Sequence, residues 1–416
     1  MKRSCLSVAL LVATLWSCQS VQEDFPASGL VDLSNFYAYG DDFSAGFANG
    51  GLYRASQLVA FPNLVIAQSQ KAGIKTNDFK QPLFDTDQEN GSGYYKWIDT
   101  NASGLPQLVW VNTRLAIRST NPLLYTKAPG QYQQLCVPAL CVSELQKPTL
   151  GGNMGNPYFE RILPNSTSAK TYLQFIGQQT PSFFTLWLGN NDVLMNALSG
   201  GKMPITAIDV FEKNYRELLN TLSPTGTTKG VVFTIPDLST YSPYFTKLKA
   251  SEMSGPTRSI IFYRSSTGQI KRASDSELIL LSTDSVGVAG KSGLPKGYSY
   301  SYPLSDTEVL EVEELAKVRA AMVAFNKIIV AEATAKHLKI INTDELLKKI
   351  QVGSMENGQK IDTSYPNGGF YSLDGYHFSP RGNAIIANEV IKTLNTNYRT
   401  RILGLDVSTY EGVKKN

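Results

Sequence analysis

The 416 residues hold only two histidines, His337 and His377, so imidazole chemistry near neutral pH has two places to occur. His377 closes the string Asp374-Gly375-Tyr376-His377, a carboxylate and an imidazole at short spacing, suited to moving a proton. Two other segments gather polar side chains around glycine: Gly40-Asp41-Asp42-Phe43-Ser44-Ala45-Gly46 and Gly189-Asn190-Asn191-Asp192. Each is weak alone, because Asp-x-x-His arises by chance and Gly-Asn-Asn-Asp is ordinary turn material. Their order along the chain makes the set informative. His337, in Ala335-Lys336-His337-Leu338-Lys339 at a helix end, reads as a solvated surface residue.

The elements that would position these groups alternate between strand-like and helix-like, which predicts an α/β fold with a parallel sheet. Short apolar runs at 35–39, 183–188, 230–235 and 338–341 read as strands, the first ending at Gly40 and the second at Gly189. Ile208, Phe211, Tyr215, Leu218 and Leu222 keep one helical face, as do Leu315, Val318, Met322, Phe325 and Ile329. Ser305-x-x-Glu308 reads as a capping box ahead of the second helix, and Ser379-Pro380 as the start of the last. Residues 74–131 and 238–305 interrupt the rhythm and are expected to be insertions with their own hairpins, attached near strand ends. The crevice at the carboxyl ends of such a sheet is where ligands bind, and two of the three polar segments follow strands.

Taken together, the three segments resemble the blocks of the SGNH (GDSL) hydrolase family, and within it the large lipoprotein-type members of Bacteroidetes. Phe61-Pro62-Asn63-Leu64 and Gln81-Pro82-Leu83-Phe84 are similar to that branch as well. The resemblance implies a three-layer α/β/α, flavodoxin-like domain with a parallel sheet of about five strands and two long insertions. It implies an ester hydrolase acting on acyl esters or acetylated glycans, with no cofactor expected; with two histidines and no Cys-x-x-Cys, no metal site is expected either. By the family pattern His377 is the general base and Asp374 fixes its tautomer. Asn191 donates to the oxyanion, an interaction worth about 3 kcal/mol. Cys136-Val137-Pro138-Ala139 falls where the family has its second block, which puts the Ala139 backbone N–H at the second oxyanion donor, with Gly151 or Gly152 as other candidates.

One departure dominates. By register, Asp42 stands where the family has its serine nucleophile. A carboxylate attacking an ester would give a mixed anhydride and expel an alkoxide, which is uphill, and its charge opposes a developing oxyanion. Ser44, two residues on, does not share its helix face. Four readings follow: Asp42 and His377 position water; the site only binds a glycan or acyl ligand; Ser44 serves through a shifted turn; or Asp42 attacks an alkyl carbon. Tyr94, Tyr95, Trp97, Tyr298, Tyr300 and Tyr302 could stack on sugars, but such residues more often pack small hairpins.

The N-terminus reads as an export signal. Lys2 and Arg3 precede an apolar run at 8–15, too short to span a membrane, and Leu15-Trp16-Ser17-Cys18 resembles a lipobox whose cysteine is lipidated. The expected organisation is a signal peptide at 1–17, a tether at 18–30, the hydrolase-like domain at 31–400 and a tail at 401–416. That places the protein on a membrane through Cys18, in the periplasm, the outer membrane or at the cell surface. Cys136 and Cys141 are expected to be either a short-loop disulfide or two buried thiols. The net charge of +4 becomes +2 without Lys2 and Arg3, and no basic cluster points to nucleic acid.

Overall fold

Why five short runs become one buried sheet follows from their residues: β1 (Phe36–Gly40) and β3 (Phe183–Trp187) are buried at every position, as strands covered on both faces must be. The computed structural model describes residues 26–100, 105–164, 170–253, 260–283, 286–290 and 293–415. The expected signal peptide, Cys18 and residues 19–25 of the expected tether lie outside them. Between β1 and β3 come helix α1 (Phe61–Lys71) and strand β2 (Gln134–Cys136). After β3 come α2 (Asn191–Leu198), α3 (Ile208–Leu222), β4 (Lys229–Phe233), α4 (Val312–Ala335), β5 (Lys339–Ile341), α5 (Thr343–Val352) and α6 (Pro380–Tyr398). The sheet is parallel with order β5-β4-β3-β1-β2, the flavodoxin-like arrangement, whose order reverses between β1 and β3.

Helices α1 and α6 pack together on one face, where Phe61 meets Trp187 and Phe233. Helices α3 and α4 pair on the other, Phe211 stacked on Phe325 at 4.0 Å. Each fully buried aromatic ring of this kind stabilises the fold by roughly 1.5–3 kcal/mol over exposure. Among the described residues no helix is long and apolar enough to cross a membrane.

The sequence reading missed β2. Three residues at a sheet edge carry too little periodicity to register. It also misplaced a cap: the Ser305–Glu308 box closes the turn Asp306–Glu308, whereas α4 begins later, where Glu314 accepts the Glu311 N–H at 3.0 Å. The insertions do hold hairpins, Tyr94–Thr100 with Pro106–Val111 and Ile117–Thr120 with Leu123–Tyr125 in the first, Phe262–Arg264 with Ile270–Arg272 in the second. The first insertion lies between helix α1 and the start of strand β2. Cys136 and Cys141 are free thiols, the first buried and the second partly exposed. His337 is exposed.

Candidate active site

Three neighbouring strands deliver three of the polar groups to one edge. Gly40 at the end of β1 is paired with Cys136 of β2 and Trp187 of β3, so the segments after each strand emerge side by side. After β1 the chain turns into a one-turn helix, Asp42–Ala45, capped by the Asp41 carboxylate on the Phe43 N–H. Asp41 is fully buried, and its other oxygen accepts from the Asn190 amide at 2.8 Å. Burial, followed by the charge of Asp42, holds the Asp41 carboxyl well above the usual carboxylate range.

Both carboxylate oxygens of Asp42 are engaged. One carboxylate oxygen accepts the Ala139 N–H at 2.9 Å, and the other accepts the Asn191 side-chain amide at 2.5 Å. The two donors that the family resemblance assigns to an oxyanion are therefore both occupied by this one side chain. Ala139 reaches it with φ +59°, a left-handed conformation that glycine adopts more readily. Gly151 lies against Leu163 and Phe159 instead, and the Gly152 N–H bonds to Thr149.

The loop carrying Ala139 is anchored behind the site. Asn156 donates to the Pro138 carbonyl at 2.7 Å, and Asn214 to that of Val142 at 2.9 Å. Asp192, one residue past Asn191, accepts the N–H groups of Val142 and Ser143 and the Thr206 hydroxyl. Burial pushes the Asp192 carboxyl up to about 6 against the pull of those three donors. One acid thus ties the loop after β2 to the helix after β3.

On the other side, Asp374 and His377 form a closed unit. The Asp374 carboxylate meets His377 Nδ1 at 3.0 Å and accepts the Gly50 N–H at 2.7 Å. Its second oxygen takes the N–H groups of Tyr376 and His377 and the Ser372 hydroxyl. Burial opposes ionisation here, but the imidazole and the donors outweigh it, and the Asp374 carboxyl lies below the usual value. The rings of Tyr376, Phe47 and Phe43 surround the imidazole at centroid distances of 4.2, 4.8 and 5.2 Å. His377 is 2% exposed, and its Nε2 has no hydrogen-bond partner. Phe43, the neighbour of Asp42 in the chain, packs its ring against the His377 imidazole, which brings the two halves close together.

Ser44 is elsewhere. It is fully buried, its hydroxyl beside the Cys136 thiol and against the space a Gly40 Cβ would fill. Among the aromatics, Tyr94 stacks on Tyr53 at 4.0 Å, the Trp97 N–H bonds to the Asp99 carbonyl, and the Tyr298 hydroxyl bonds to that of Met253. Tyr302 lies against Gly290. These four pack within the protein. Sequence reasoning missed Asn49 and Gly50, whose bonds to Leu373, Ser372 and Asp374 span more than 320 residues, and the anchoring role of Asp192. Their only signal was a turn-forming Asn-Gly pair. Among the described residues no group of three or more His, Cys, Asp or Glu could hold a metal ion.

No family model matches the chain, and no curated protein matches it. Among solved structures it is similar to a variant of an acetyl-xylooligosaccharide esterase from Geobacillus stearmophilus, at 11% identity over 88% of this chain and 96% of that one, TM-score 0.36. It is also similar to a lipase/acylhydrolase from Enterococcus faecalis, at 10% identity over 88% and 98%, TM-score 0.33.

Proposed function

We propose that the chain is an SGNH-type ester hydrolase domain, for acyl esters or acetylated glycans, whose oxyanion hole is occupied by its own Asp42 carboxylate. The observation that carries this reading is the pair of bonds from Ala139 N–H and the Asn191 amide to the two oxygens of Asp42. A tetrahedral intermediate needs those same donors. A fixed negative charge 4 Å from a developing oxyanion costs about 4 kcal/mol at an effective dielectric of 20, more than either donor returns. Native turnover of simple esters is therefore weak or absent, while the His377–Asp374 pair keeps the arrangement acyl transfer requires.

A binding function is the second reading, favoured by the unpartnered Nε2 of His377. With Nδ1–H held by Asp374, Nε2 is an acceptor waiting for a hydroxyl. A fluorophosphonate probe separates the two. The wild type should remain unlabelled, Asp42→Ser should be labelled at residue 42, and His377→Ala should abolish that labelling. An unlabelled, folded Asp42→Ser protein would overturn the latent hydrolase and leave the binding module. The leader supports an exported, membrane-anchored lipoprotein; Cys18→Ala should release it from membranes, and retention of that variant would reject the anchor.

A further inference from the structure

We propose that Asn49 is a positioning residue for the His377–Asp374 pair: its side chain locks a tight turn whose two outward N–H groups hold both oxygens of the Asp374 carboxylate. The role rests on the ester-hydrolase reading, and it adds to that reading a residue outside the segments that carry the family resemblance.

Ala48 and Gly51 exchange N–H···O=C bonds at 2.9 and 3.0 Å, closing a two-residue turn. Its central residues, Asn49 and Gly50, sit at φ +55° and +81°, the type I′ geometry for which Asn-Gly is a preferred pair. The two central N–H groups take no part in the closing bonds, and both serve one carboxylate instead. The Gly50 N–H donates to Asp374 Oδ2 at 2.7 Å, the oxygen that also meets His377 Nδ1. The Asn49 N–H donates to Ser372 Oγ at 2.9 Å, and that hydroxyl donates to Asp374 Oδ1 at 3.0 Å.

The Asn49 side chain keeps this turn pressed on Asp374. Its Oδ1 accepts the Leu373 N–H at 2.9 Å, and its Nδ2 donates to the Tyr53 hydroxyl at 2.8 Å. The Asn49 carbonyl accepts the Tyr95 N–H at 2.8 Å, while the Tyr53 ring stacks on Tyr94. One residue thus ties the first insertion's hairpin to the loop that carries His377. A loosened carboxylate would release the imidazole to its other tautomer, with the proton on Nε2, where it could no longer take one from a nucleophile.

Histidine-selective 15N NMR of the full chain reads this directly and needs no turnover. At alkaline pH both imidazoles are neutral, and exposed His337 is the internal control. Wild-type His377 should be in the Nδ1–H form. Asn49→Gly, which removes the side chain but suits the positive φ, should raise the Nε2–H share of His377 by about threefold or more, the weight of one ordinary hydrogen bond. Asn326→Ala cuts a comparable bridge, from α4 to the N–H and carbonyl of Ile235, and should lower Tm without moving either tautomer. In an Asp42→Ser background, Asn49→Gly should lower kcat toward p-nitrophenyl acetate by about tenfold with KM little changed. A wild type already in the Nε2–H form, or an Asn49→Gly protein of lower Tm with the wild-type tautomer, overturns the role and leaves a structural staple. If Asp42→Ser shows no turnover, the latent hydrolase fails, and the tautomer shift alone decides for or against the clamp.

Discussion

Asp42 and Asp374 are two acids with buried side chains, and they do opposite things with the same functional group. Asp374 spends its oxygens on four donors of its own neighbourhood and on His377 Nδ1, so its charge orients a base. Asp42 spends its oxygens on the two groups that would otherwise receive a reacting oxyanion. The difference lies in what surrounds each carboxylate: a loop built around Asp374 needs it to hold together, whereas the donors around Asp42 lie beyond two separate strands, Ala139 in the loop after β2 and Asn191 at the start of α2, and that loop has anchors of its own in Asn156 and Asp192. Structural dependence and chemical consequence are thereby separated between the two halves.

The largest expected effect tests that dependence. Asp374→Ala leaves three backbone N–H groups, a hydroxyl and an imidazole without their acceptor, and should destabilise the fold by about 3–5 kcal/mol in denaturant titrations. An equal loss from Asp42→Ala would erase the contrast; we expect about 1 kcal/mol or less there, since water filling the space of the lost carboxylate can serve two donors.

Acidity sharpens it next. Asp192, raised from 3.8 to about 6, favours the folded state fully below pH 3.8, and that contribution is lost as pH rises through 6. The swing for this one group is about 3 kcal/mol. Asp374, held below 3.8, runs the other way, adding stability above its unfolded value that is lost as pH falls through its folded one. Stability curves of wild type and Asp192→Asn between pH 4 and 7 should therefore converge or cross; parallel curves would show that Asp192 is not raised.

The smallest effect concerns the loop that meets Asp42. Ala139→Gly relieves a side chain at φ +59° and should change stability by about 0.5–1 kcal/mol in the favourable direction, visible as a small rise in Tm. A marked drop would mean that the Ala139 methyl packs in a way its backbone angle does not convey.

Much of this was legible in the residues. Four of the five strands lie within two residues of the apolar runs, because parallel strands buried on both faces read as continuous hydrophobic stretches. The start of α6 at Ser379-Pro380 was readable for a local reason too: a cap is a contact between near neighbours in sequence. Strand β2 was too short to read, and the Ser305 box, though formed, belongs to a different turn. What no pattern conveyed is where the Asp42 carboxylate points. That depends on Ala139 and Asn191 arriving from two other strands, 97 and 149 residues away. The Gly50 clamp on Asp374 was hidden for the same reason.

The central claim is that Asp42 blocks acyl transfer by filling the oxyanion hole. Steady-state hydrolysis of p-nitrophenyl acetate by wild type and Asp42→Ser, at equal concentration and neutral pH, tests it most directly. The serine variant should exceed wild type by at least about tenfold in kcat/KM, roughly 1.4 kcal/mol of barrier. Clear wild-type activity that survives in no Asp42→Asn protein, with no gain from Asp42→Ser, would contradict the claim and make the carboxylate itself the group that works.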